Sequence, residues 1–142
     1  MKKLKPQRVD WHQISRYLAA ASKKLATAKK ILPIDEEACY QQAYDAMLKA
    51  SLGFMLSHGV RPRSQPGHHV AIIEFGESHL DKEHHSLVVA FDRMRRKRNQ
   101  ALYEVTGLIS KQEADQALQI AERFLVVLRS NLQRRSPQGK LP

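Results

Sequence analysis

Arg98, Asn99 and Tyr103 are the residues whose types and spacing could do chemistry in this chain. On a helical wheel at about 100° per residue, Leu87, Phe91, Met94, Ala101, Leu102 and Val105 fall on one face, and Arg98 lands near its middle. A guanidinium carries a permanent charge on a rigid set of donors, so burying it is costly without a partner or an opening to water. Asn99 and Tyr103 are four apart, which sets their side chains next to each other on the edge of the same stripe. Arg98 and Tyr103 are five apart, about 140° around an ideal helix, so one straight helix does not bring them together. Convergence requires a disturbed helix end or a second copy across a two-fold seam. The plainer alternative is an Arg98 whose stem packs while its head reaches water, with Tyr103 a half-buried aromatic and Asn99 a rim residue.

The cluster ends a basic run, Arg93-Met94-Arg95-Arg96-Lys97-Arg98. Concentrated on one helix, Arg93, Arg95, Arg96 and Lys97 would surround the candidate site with positive potential. The whole chain leans the same way, with 24 Lys and Arg against 14 Asp and Glu and a formal charge of +10. Such a field attracts polyanions, of which RNA and DNA are the abundant ones, and each neutralised phosphate releases counterion. A solvated basic face or an acidic protein partner is the other way to use it.

The elements that must position these groups are helical. At 142 residues, with six Gly, six Pro and 6% aromatics, the chain reads as one all-α domain. A first helix is expected from about Asp10, its cap, with Gln13 as capping-box partner, to Leu32, where Pro33 stops it. A second starts at Asp35 and ends before Gly59, with small Ala43, Ala46 and Ala50 allowing close approach of a neighbour. Residues 59–67 read as the one substantial loop, and Pro66 suits the first turn of a short third helix ending near Leu80. Ile72, Ile73 and Phe75 in that segment also fit a strand. The fourth helix is expected from about Lys82 to Val105, and the fifth begins at Ser110 with Glu113 completing a capping box. The expected architecture is an antiparallel up-and-down four-helix bundle with one short extra helix, spanning residues 1–132, followed by a flexible basic tail, 133–142.

With those elements in place, the chain resembles the HEPN domain family. Ala43-Tyr44-Asp45-Ala46-Met47, Leu56 with His58-Gly59-Val60-Arg61-Pro62, and Arg98-Asn99-Gln100-Ala101-Leu102-Tyr103 carry the resemblance, which runs from about residue 11 to 132. It implies an antiparallel bundle, usually homodimeric, with paired motifs facing a cleft at the interface. Active members are metal-independent RNA endonucleases, many of them toxins encoded beside a small nucleotidyltransferase antitoxin; others are inactive binding modules. By position, the resemblance makes Arg98 the residue that holds or polarises the scissile phosphate and Asn99 its polar helper. The family's nuclease motif ends in histidine where this chain has Tyr103. A tyrosine, with a reference pKa of about 10, is a poor base but can donate a hydrogen bond to phosphate.

The expectation is therefore a HEPN-type RNA-binding protein or metal-independent endoribonuclease, toxin-like within a toxin–antitoxin pair. The alternative is a non-catalytic module that binds a nucleotide or a partner nucleotidyltransferase. A DNA-binding bundle is disfavoured because no helix-turn-helix spacing is present. No cofactor is expected: there is no Gly-rich phosphate loop and no flavin, nicotinamide or haem signature. No metal is expected either, since His12, His58, His68, His69, His79, His84 and His85 form no metal-ligating pattern. His79 or His84 could act as a stand-in proton shuttle from a neighbouring helix. The lone Cys39 excludes an internal disulfide and fits a reducing compartment. The basic N-terminus lacks an apolar run, so a cytoplasmic location without membrane spans is expected.

Overall fold

The computed structural model describes residues 3–105 and 107–142. Five α-helices account for most of it: α1 (Trp11–Ile31), α2 (Glu36–Ser57), α3 (His68–His79), α4 (His85–Ala101) and α5 (Lys111–Arg135). A 3-10 turn, Lys82–His84, leads into α4. Two short strands, β1 (Leu4–Pro6) and β2 (Val60–Pro62), pair antiparallel with Lys5 opposite Arg61.

Local chemistry sets most helix ends. Asp10 accepts from the His12 and Gln13 amides at the start of α1, and Asp35 accepts from Ala38 at the start of α2. Ser110 and Glu113 form a complete capping box on α5. After α2 the chain reverses at Gly59, whose φ of +75° favours glycine, and its carbonyl accepts from Gln7. That reversal turns residues expected to be loop into β2. The segment with Ile72, Ile73 and Phe75 is helical, and its N-terminal cap is Gly67, also left-handed at φ +81°.

Two boundaries differ from the sequence expectation. The fourth helix stops at Ala101 instead of Val105, and the next residues close as turns, Tyr103 to Gln100 and Glu104 to Ala101. Leu102 and Val105, expected on the apolar stripe, are 60% and 95% exposed. Beyond Ala101 those side chains meet no packing surface, so the residues lack the tertiary support that sustains most helices. At the other end, α5 continues to Arg135, which donates to the Ser57 hydroxyl and carbonyl, while Leu141 packs against the core. The segment expected as a basic tail thus contributes contacts to α2.

α2 is the central element, packing against α1, α3, α4, α5 and β2. Its Cys39, Ala43, Tyr44, Ala46, Met47, Ala50 and Met55 are fully buried. The aromatic chain Tyr44–Phe91–Phe124 links α2, α4 and α5 at centroid separations of 5.5 and 5.3 Å. No helix among the described residues is long and apolar enough to cross a membrane.

Phe91 is the hinge of that aromatic chain. Phe91→Ala is expected to lower unfolding free energy by about 3–5 kcal/mol in a urea titration. Ser110→Ala, which removes only a cap, should cost about 1 kcal/mol.

Candidate functional site

The buried residues of α4 are Val88, Ala90, Phe91, Met94 and Ala101, and Arg98 occupies the place between Met94 and Ala101. Its guanidinium carbon stands 5.4 Å from the centroid of the Tyr44 ring. Its Nε is buried and has no hydrogen-bond partner among the described residues. The charge is therefore held by a ring face, a cation–π contact worth about 0.5–2 kcal/mol, and not by a carboxylate. Asp45, the adjacent acid on α2, feels Arg98 without forming an ion pair with it among the described residues. Burial raises the Asp45 carboxyl pKa, with Arg98, Lys24 and Lys49 working against that rise.

Arg98 opens on a cleft of about 510 Å³ between the start of α3 and the end of α4. One wall is Ser64 to Val70; the other is Arg95, Arg98 and Asn99. Gly67 turns the chain so that the first amides of α3 begin at this wall, the positive end of the helix dipole. His69 projects from there toward the floor, where its Nδ1 lies 3.0 Å from the Tyr44 hydroxyl. His68 packs edge-on against His69, with ring centroids 4.6 Å apart, and its own Nδ1 is 3.1 Å from the Gln65 carbonyl.

The electrostatics of this group follow from burial. Desolvation, reinforced by His68, Arg98 and Arg95, pushes the His69 imidazole pKa down to about 4. Tyr44 is fully buried, and its phenol pKa is raised despite Arg98 and Arg95, so it stays protonated. At neutral pH the cleft thus holds a neutral imidazole tied to a neutral phenol, beside two guanidinium groups.

The sequence candidates separate into three groups. Arg98 and Asn99 both line the cleft. Tyr103 does not; it is 88% exposed in the turn after α4, and the four-residue adjacency with Asn99 is lost because the helix ends first. In the basic run, Arg95 and Arg96 pair with Asp92 at 2.9 and 3.2 Å, and Lys97 pairs with Glu113 at 3.0 Å. Arg93 is exposed. The positive field is therefore tempered by ion pairs along the run, while Arg98 forms none among the described residues.

His79 and His84, the sequence's stand-in proton shuttles, lie elsewhere. His79 stacks on Phe75 at 3.8 Å, and His84 sits 3.8 Å from Glu83. The imidazole that faces Arg98 is His69. Its only sequence signal is a position in the first turn of a helix opened by Pro66-Gly67, which does not say what lies opposite. Among the described residues, no group of three or more His, Cys, Asp or Glu side chains is placed to hold a metal ion.

His69 gives the folded protein a defined acid response. Its pKa is lower folded than unfolded, so the unfolded chain binds the extra proton between about pH 6.5 and 4, and stability falls as pH falls through that window. His69→Gln should flatten this part of a denaturation-midpoint profile against pH, and an unchanged slope would place the response in another group. In comparisons with known proteins, the chain matches no family model and no curated sequence.

Proposed function

We propose that this chain is a HEPN-type protein that binds RNA through the Arg98 cleft and acts as a metal-independent endoribonuclease, the toxin-like member of a pair with a nucleotidyltransferase antitoxin. The observation that carries the reading is Arg98: a cation with a buried Nε and no hydrogen-bond partner for it or carboxylate ion pair among the described residues, at the edge of a cleft of about 510 Å³. A backbone phosphate in the cleft would accept from the part of the Arg98 guanidinium that lines it, since guanidinium–phosphate hydrogen bonds are charge-assisted and frequently bidentate. Asn99 and Arg95 on the same wall add side-chain donors that an anion can use.

Metal-independent cleavage also needs a group that moves protons. Tyr103 stands away from the cleft, and of the two imidazoles that line it, His68 and His69, it is His69 that Tyr44 orients. His69 is the better candidate for that role. Arg93, exposed on the same helix, and the partly paired Arg95, Arg96 and Lys97 supply the general attraction for the strand.

The proposal includes the family's antiparallel bundle topology and a two-fold homodimer. Leu102, Tyr103 and Val105, exposed together at the end of α4, give a second copy an apolar surface to cover. A second reading uses the same cleft for a nucleotide in a non-catalytic module, itself docked to a nucleotidyltransferase. The removal of Tyr103 from the cleft favours it, because the motif then lacks both its histidine and that histidine's substitute.

Incubation of purified protein with total RNA in EDTA separates the two readings. Cleavage by wild type, lost on Arg98→Ala and on His69→Asn and retained in Tyr103→Phe, is the expected result. An intact RNA pool with wild type rejects the nuclease, and RNA binding unaffected by Arg98→Ala rejects the cleft as the binding site.

A further inference from the structure

The groups around His69 are arranged so that an anion and a proton would stabilise each other. From α2, Tyr44 lies 3.0 Å from Nδ1, and the acids whose charges reach that phenol are Asp45 on α2 and Asp92 on α4. From α3, His68 abuts the ring edge-on. From α4, Arg98 and Arg95, the latter also paired with Asp92 at 2.9 Å, present their charges to it, and both line the same cleft as His69. Three basic side chains thus surround the imidazole, and no carboxylate hydrogen-bonds to it among the described residues.

We propose that the cleft takes a phosphate group between Arg98 and His69, and that His69 takes up a proton as the phosphate arrives. The inference rests on the cleft that the proposed function uses, though not on RNA being its natural ligand. Burial disfavours an imidazolium here, and the positive charges of Arg98 and Arg95 beside it add to that. A bound phosphate reverses that balance: its charge offsets the two guanidinium groups and offers Nε2 an acceptor. Tyr44 accommodates both states, since its hydroxyl can donate to a bare Nδ1 or accept from a protonated one. Arg98 is thus the anchor, and His69 makes anchoring depend on pH.

Linkage sets the sign. A ligand that raises the His69 pKa must bind more tightly to the protonated protein, so affinity rises as pH falls toward the free-state pKa. A rise of about two units would make binding roughly tenfold tighter at pH 5 than at pH 7.

The test follows the His69 imidazole proton resonances by NMR from pH 4.5 to 8, with the signal assigned through His69→Asn. The probe is sulfate at constant ionic strength, a phosphate mimic whose charge does not change across this range. In wild type without sulfate, His69 should remain neutral at pH 5; with sulfate its midpoint should move up by a unit or more. Arg98→Ala, and Arg98→Gln as a gentler replacement, should abolish the movement. A midpoint near 6.5 without sulfate overturns the proposal, as does a midpoint that sulfate leaves unchanged. A parallel titration with a single-stranded RNA dodecamer separates this idea from the function: a sulfate response without RNA binding rejects the RNA reading and leaves the proton-linked phosphate site standing.

Discussion

The ring of Tyr44 is shared between the core and the cleft, and both depend on its burial. On one side it meets Phe91, which in turn meets Phe124, so the contacts of α2, α4 and α5 run through one aromatic file. On the other it supports Arg98 and holds His69 by its hydroxyl. A phenol can do this because its body is apolar and its tip is polar. Because the ring is fully buried, its partners have little room to wander, and the position of the guanidinium is tied to the packing of the core.

That arrangement explains how α4 tolerates a charge in its buried stripe. A buried ion pair would consume the charge and would itself carry a large desolvation cost. Here the charge forms no ion pair among the described residues and is stabilised by a ring face and an adjacent opening. The neighbouring cations behave differently. Asp92 and Glu113 draw Arg95, Arg96 and Lys97 into ion pairs, so those charges already have carboxylate partners. Formal charge along the run is therefore a poor guide to where an anion would be held. Burial at one position discriminates better than the count of basic residues.

The histidines show the same limit. Seven are present, and nothing in their spacing singles out His69. It becomes distinctive because α3 crosses near the end of α4, placing its first turn opposite Arg98, and because Gly67 sets the direction of entry. His79, on the same helix, spends its ring on Phe75. A residue's pKa and its neighbours are properties of the packed ensemble of elements, while local sequence reports only which element a residue belongs to.

For Arg98, Asn99 and Tyr103, sequence and tertiary structure divide along that line. The sequence by itself determined that the chain is helical, where most helices begin, and that Arg98 interrupts an apolar stripe. Those follow from caps, breakers and a 3.6-residue period, all of which act over one or two turns. Only the tertiary structure decided that α4 ends at Ala101 and leaves Tyr103 in solvent, since a helix end without a cap persists only as far as it finds something to pack against. It also decided that Arg98 faces Tyr44 and His69, residues 54 and 29 positions earlier in the chain. No local pattern encodes a meeting between residues that far apart; it comes from the burial of α2 beneath both α3 and α4.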